Sequence, residues 1–174
     1  PYTAGHQRRV GDLARGIATE MGLPAEDVEG VRIAGVIHDL GKISVPAEIL
    51  SKPRQLNNME FALVKEHPQK GYEILKDVDF ECPVADMVHQ HHERLDGSGY
   101  PQGLKGEEIV PGAKILAVAD VVEAMASHRP YRPNLGLDAA LKEIASGRGV
   151  LYDPEAVDAC LRLFNEKRYQ LPAP

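Results

Sequence analysis

From His6 to Met21 the apolar residues Val10, Leu13, Ala14, Ile17, Ala18 and Met21 recur three and four positions apart, which puts them on one stripe of a helix. That period returns along most of the chain, and no run alternates apolar with polar residues as a half-buried strand would. The pattern predicts an all-α helical bundle. Gly22 ends the first helix, and Pro24 opens a second that carries Val28, Val31, Ala34, Gly35 and Ile37 to His38. Gly41 to Pro46 reads as a loop. Asn57 or Asn58 caps a helix reaching about His67, and Pro68 starts another to about Leu75. Pro83 opens a helix that ends in His91 and His92. Pro111 to Ser127 reads as a buried helix, since only Lys114, Asp120 and Glu123 interrupt its alanines and valines. Helices over Asp138 to Ser146 and Glu155 to Lys167 complete the set. Between them, Glu93 to Glu108 holds Gly97, Gly99, Pro101, Gly103 and Gly106, a density that marks an ordered functional loop.

A chain of 174 residues fits one domain over its full length. The longest apolar stretch, Ile115 to Ala119, is too short for a bilayer, and the first residues lack the basic start and apolar run of a signal peptide. The expectation is a cytoplasmic protein with no membrane insertion. Cys82 and Cys160 lie far apart and form no CxxC pair, so both read as plain core residues. A formal charge of -6 disfavours a nucleic-acid polymer as partner but leaves room for a small anion held by local cations or metal ions. Because the chain begins almost at its first candidate histidine, it is expected to be cut from a longer protein with an N-terminal sensory or regulatory domain.

Seven histidines are placed informatively. His6 starts the first helix, His38 and Asp39 close the second, His67 lies at a helix boundary, His91 and His92 end another helix, and Asp120 interrupts the most apolar one. Imidazoles and carboxylates without a thiolate suit manganese or iron better than a structural zinc. Asp120, flanked by Ala117, Val118, Ala119, Val121 and Val122, would lose several kcal/mol to desolvation if buried alone. It therefore faces a cation or a cavity, or else lies on a solvated stripe with Glu123 and Ser127. His38 and Asp39 also fit an ordinary helix end, and Lys42 fits an exposed lysine as well as a phosphate-stabilising cation. His91 and His92 point about a hundred degrees apart on a helix, so both reach one ion only if the helix stops there or the ion lies between them. His89 and His128 read as surface or outer residues with no assigned role.

Taken in order, His6, His38-Asp39-Leu40-Gly41-Lys42, His67-Pro68, His91-His92-Glu93, Asp96-Gly97-Ser98-Gly99-Tyr100-Pro101 and Asp120 resemble the HD-GYP family, and the similarity covers nearly the whole chain. The stretch HHERLDGSGYPQGLKGEEI, from His91 to Ile109, carries most of it. The resemblance implies a helical bundle of the HD-domain type with a long glycine-rich GYP loop, two or three divalent ions (most often iron or manganese), and hydrolysis of cyclic di-GMP to pGpG or onward to GMP. It implies His6, His38, Asp39, His67, His91, His92 and Asp120 as metal ligands, with Asp39 bridging. Asp39 and Lys42 become the catalytic residues. Lys42, Gly99, Tyr100, Pro101, Arg129 and Arg132 become substrate contacts, and the GYP loop becomes a surface for a partner protein. Independently, Arg129 and Arg132 beside Pro130 and Pro133 read either as a rigid anion clamp or as a solvated basic loop.

One position departs from the pattern. Three-metal members have a Glu four residues before the first His, where this chain has Tyr2. The expectation is a two-metal site, with complete cleavage to GMP weakened. Two other readings are an HD-type phosphohydrolase on other nucleotides and a non-catalytic module that binds cyclic di-GMP. The glycine-rich loop argues against the first, and the intact ligand set with Lys42 argues against the second.

Overall fold

The computed structural model describes residues 2–127 and 135–172, with side chains from Ala4 onward. Helices α1 (Tyr2–Glu20), α2 (Ala25–Ile37), α3 (Ala47–Leu50), α4 (Asn58–Val64), α5 (His67–Leu75), α6 (Val84–Gln90), α7 (Pro111–Ala126), α8 (Leu137–Ser146) and α9 (Pro154–Asn165) follow in chain order. Short 3₁₀ turns lie at Leu40–Ser44 and Gly106–Glu108. Among the described residues the extended pairings are the single bridges Asp96 with Lys105 and Arg148 with Tyr152. The fold is all-α, and no described helix is long and apolar enough to cross a membrane.

The core is built around α7, which touches α1, α2, α6, α8 and α9. A helix packed against five others keeps little solvated face, which is why Ile115, Leu116, Val118, Ala119 and Val122 are buried there. The stripe of α1, Val10, Leu13, Ala14, Ile17 and Ala18, is fully buried against it and its neighbours. Asp153 caps α9 by accepting from the Ala156 N–H at 3.0 Å, with Pro154 at the first position where its missing N–H costs nothing.

Several boundaries differ from the sequence expectation. The first helix begins at Tyr2, so His6 sits in its second turn; nothing from Tyr2 onward breaks a helix apart from Gly5, which is tolerated. The stretch Gly41 to Pro46, expected to be a loop, belongs largely to a 3₁₀ turn, with the Lys42 N–H on the Asp39 carbonyl at 2.9 Å and the Val45 N–H on the Lys42 carbonyl at 3.0 Å. His67 opens α5 rather than ending α4. Pro68 has no N–H to give the Val64 carbonyl four residues back, so α4 stops at Val64 and a new helix starts. Cys160 is a core residue as expected, whereas Cys82 is only partly buried, its thiol donating to the Glu26 carbonyl at 3.3 Å.

The 3₁₀ turn presses on the start of α5. A Cβ at Gly41 would lie 1.8 Å from the His67 carbonyl oxygen and 2.6 Å from the Gly71 nitrogen, both of them backbone atoms that cannot swing aside. Gly41→Ala is therefore expected to lower stability by about 1–3 kcal/mol, the cost of overpacking. Urea denaturation measures it, and an unchanged midpoint would show that this contact is loose.

Candidate metal centre

The candidate side chains arrive from separate elements: His6 from α1, His38 and Asp39 from the end of α2, His67 from the first residue of α5, His91 and His92 from the end of α6, and Asp120 from the middle of α7. Three of them are placed by one local device. The Nδ1 atoms of His38, His67 and His91 lie 2.6 Å from the carbonyl oxygens of Gly35, Val64 and Val88, each three residues earlier. These carbonyls belong to the last turns of α2, α4 and α6, where no intrahelical N–H remains to meet them. A carbonyl only accepts, so each Nδ1 carries a proton, and in the neutral ring Nε2 is the nitrogen that keeps a lone pair for an ion. In α5 the device follows from Pro68, which leaves the Val64 carbonyl free for the imidazole next to it.

The Nε2 atoms then face one another and the two carboxylates. His67 Nε2 lies 3.4 Å from His91 Nε2 and 3.4 Å from Asp39 Oδ1. The other oxygen, Asp39 Oδ2, is 3.6 Å from His38 Nε2, 3.8 Å from His6 Nε2 and 2.8 Å from Lys42 Nζ. Asp120 Oδ1 lies 3.4 Å from His6 Nε2 and 3.7 Å from His38 Nε2. Three overlapping groups, His67 with His91 and His92, His6 with His38 and Asp120, and His38 with Asp39 and His91, have ligand atoms all within 4.8 Å of one another. Donors about 2.0–2.2 Å from a shared ion are held at separations of this order. The donor set passes a second test of fit: His38 Nε2 is buried and has no hydrogen-bond partner, while its Nδ1 is already committed. His91 caps α6, so the helix has ended where both adjacent imidazoles are needed.

Electrostatics divide the cluster. Burial by itself would lower the His6 imidazole, but Asp120 and Glu123 overcome it and raise its pKa to about 9. Burial opposes ionisation of Asp39 and Asp120 as well, yet the neighbouring imidazoles, with Lys42 beside Asp39, hold both carboxyls well below the usual range. On the other side burial prevails: it pushes the His91 imidazole well below its ordinary value and His92 down to about 3.

Two acids that the sequence reading left without a role support this arrangement. Glu123, expected to share a solvated stripe with Asp120 if that stripe existed, is fully buried, with its carboxylate on His6 Nδ1, on Arg9 Nε at 2.7 Å and on the Ser127 hydroxyl at 2.7 Å. The stripe is real but faces inward. Glu93 is also buried and accepts from the Gln102 N–H at 2.7 Å and the Leu104 N–H at 3.0 Å, tying the glycine-rich loop to the end of α6. That loop lies against the backbone it leaves: a Cβ at Gly99 would sit 2.4 Å from the His92 carbonyl oxygen. The Tyr100 ring stacks on His92 at 4.8 Å, and burial raises its phenol to about 12, so it stays a neutral donor. His89, read as a surface or outer residue, is buried, stacked on Tyr72 at 4.5 Å and bonded to Gln69 at 2.7 Å. Arg129, Arg132 and His128 lie outside the described residues, as does the Tyr2 side chain.

An all-α bundle that closes a histidine-aspartate pair inside a ring of further imidazoles, under a loop carrying Gly99-Tyr100-Pro101, belongs to the histidine-aspartate class of metal-binding folds. Residues 1–156 match the family described as HD domain, and the chain belongs to that family, in its HD-GYP branch. It is 43% identical over 162 residues to the cyclic di-GMP phosphodiesterase response regulator RpfG of Xanthomonas campestris, covering 92% of this chain and 43% of that protein. It is 44% identical over 165 residues to a cyclic di-GMP phosphodiesterase of Thermotoga maritima, covering 92% and 44%. Against the 3'3'-cGAMP-specific phosphodiesterase 1 of Vibrio cholerae it is 36% identical over 174 residues, covering 98% and 39%. The chain thus spans less than half the length of these curated relatives. Among solved structures, Bd1817 of Bdellovibrio bacteriovorus superposes with a TM-score of 0.74 at 19% identity, over 91% of this chain and 51% of that one, which shows a shared fold.

Glu123→Ala would leave the Arg9 charge buried without its carboxylate and His6 without its anchor. The expected loss is about 3–5 kcal/mol, measured by chemical denaturation of the metal-stripped protein, and a near-wild-type value would show the pair is dispensable. Since metal-free His6 holds a proton up to a pH of about 9, an ion binding there at pH 7 must displace it. Apparent metal affinity should accordingly rise with pH until about 9. Titration calorimetry in buffers of different ionisation heat should register proton release, and binding heats independent of buffer would contradict this.

Proposed function

We propose that this chain is the catalytic domain of a phosphodiesterase that hydrolyses cyclic di-GMP through two divalent ions, iron or manganese. The observation that carries this reading is the setting of Asp39, whose Oδ1 faces His67 while its Oδ2 faces His38 and His6. One carboxylate lying between two nitrogen clusters is suited to bridge. His6, His38 and Asp120 would hold one ion and His67, His91 and His92 the other, with Asp39 shared. The absence of thiolates in the set and its mix of nitrogen and oxygen donors favour iron or manganese over structural zinc. When bound, such ions would supply Lewis acidity to a phosphate and lower the pKa of a bound water.

The chain's own residues do the rest. Lys42, 2.8 Å from Asp39 and about one-third exposed, can turn its remaining N–H groups toward phosphate oxygens that gain charge as the bond breaks. Tyr100, held on His92 by stacking, presents a neutral hydroxyl to the substrate, with Gly99 and Pro101 fixing its backbone. Arg129 and Arg132 are assigned to the phosphates or guanines on the strength of sequence alone. The outer edge of the loop, exposed at Pro101 and Gln102, is the surface assigned to a partner protein. The names of the relatives at 43% and 44% identity support cyclic di-GMP as substrate; the product assigned to the two-metal site is pGpG, with onward cleavage to GMP weakened by Tyr2. The relative named for 3'3'-cGAMP, at 36% identity over 98% of this chain, makes that mixed dinucleotide the second candidate.

Anaerobically purified protein loaded with iron or manganese should convert cyclic di-GMP to pGpG on a chromatographic assay, faster than it converts 3'3'-cGAMP or any deoxynucleoside triphosphate. Replacing both His38 and Asp39 by Ala should abolish turnover. Sustained hydrolysis by that double variant, folded and stripped of metal, would refute the mechanism.

A further inference from the structure

Helix α4 contributes no residue to the core. It exposes Met59 at 81%, Phe61 at 46% and Leu63 at 44%, so burial does not explain why it is held. Other contacts hold it: the Asn57 and Glu60 capping box, an ion pair between Lys52 and Glu60, and the edge of Phe61 against Tyr100 at 6.5 Å. Phe61 and Lys65 stand four residues apart, on one face of the helical path. The Lys65 ammonium lies 5.2 Å from the Phe61 ring centre and 5.9 Å from that of Tyr100. From the metal cluster outward the rings form a row: His67 meets His92 at 5.1 Å, His92 stacks on Tyr100 at 4.8 Å, and Tyr100 meets Phe61.

We propose that Phe61 and Lys65 form the subsite for the half of the cyclic dinucleotide that is not being cleaved, Phe61 stacking on its purine and Lys65 pairing with its phosphate. This rests on the function proposed above, because only a substrate with a second base and a second phosphate has anything to place there. A half-exposed phenyl ring offers a base the flat apolar face that single-strand binding proteins use. The lysine beside it supplies a positive charge on a chain whose net charge is -6. With the metal cluster and Lys42 at one phosphate, Lys65 stands where the Tyr100 row reaches the surface, two ring contacts from His92.

The test compares metal-loaded wild-type enzyme with Phe61→Ala, Lys65→Ala, Phe61→Tyr, Lys65→Arg and, as an exposed control on the same helix, Met59→Ala. Substrates are cyclic di-GMP and bis(p-nitrophenyl) phosphate, a diester with no purine and no second phosphate. Both alanine variants should raise KM for cyclic di-GMP by about tenfold or more, with kcat moving far less. Their preference for cyclic di-GMP over the small diester should fall by a similar factor, the conservative variants should restore it, and Met59→Ala should match wild type. A KM that stays at the wild-type value in both alanine variants overturns the subsite, as does an equal loss on both substrates, which would mark a merely structural role. If wild-type enzyme cleaves the small diester but no cyclic dinucleotide, the functional reading itself fails and the subsite goes with it.

Discussion

Imidazoles and carboxylates can sit inside an apolar bundle only if each polar atom meets a partner, because desolvation penalises every one that does not. This structure meets that constraint at helix ends for the Nδ1 atoms and leaves buried His38 Nε2 without a partner, as a metal ligand would be. Carbonyls left over in the last turns of α2, α4 and α6 take the Nδ1 protons of His38, His67 and His91, and Glu123 takes that of His6. Each interaction satisfies two groups at once and aims the opposite ring nitrogen inward. The cluster therefore depends on where the helices stop as much as on where they run. Pro68, by ending α4 and freeing one carbonyl, acts on the site without touching it.

The parts of this design that obey a period were legible in the sequence. The stripe of α1, the buried character of α7 and the gathering of histidines at helix boundaries could be read from residue spacing, and the ordered motif from His91 to Ile109 supplied the family resemblance. What could not be read were contacts between elements far apart in the chain. Glu123 belongs to a polar stripe of α7 that is as consistent with water as with Arg9 and His6, more than a hundred residues away. Glu93 looked like part of a loop, yet its carboxylate is the anchor that the loop is strung from. The 3₁₀ turn after Asp39 was read as irregular because five residues show no apolar period, although two backbone hydrogen bonds hold it.

Rigidity and exposure are divided in a way that follows from the same accounting of polar atoms. The candidate ligands hang from α1, α2, α5, α6 and α7, most of which are locked into the core. The groups at the rim, Lys42 and Tyr100, sit on a short turn and a loop, the turn pressed on α5 at Gly41 and the loop tied to the end of α6 through Glu93 and the close approach of Gly99 to the His92 backbone.

The two halves of the cluster are chemically unequal, and the inequality comes from α7. That helix sets Asp120 and Glu123 against His6, whereas at His91 and His92 burial outweighs the pull of Asp120. In the metal-free protein the acid-rich half therefore attracts a proton while the imidazole half rejects one. Asp39 lies across the division, held ionised by His38, His67 and Lys42. His91 and His92 offer unprotonated nitrogens, whereas a cation arriving beside His6 would have to compete with hydrogen ions for the same nitrogen.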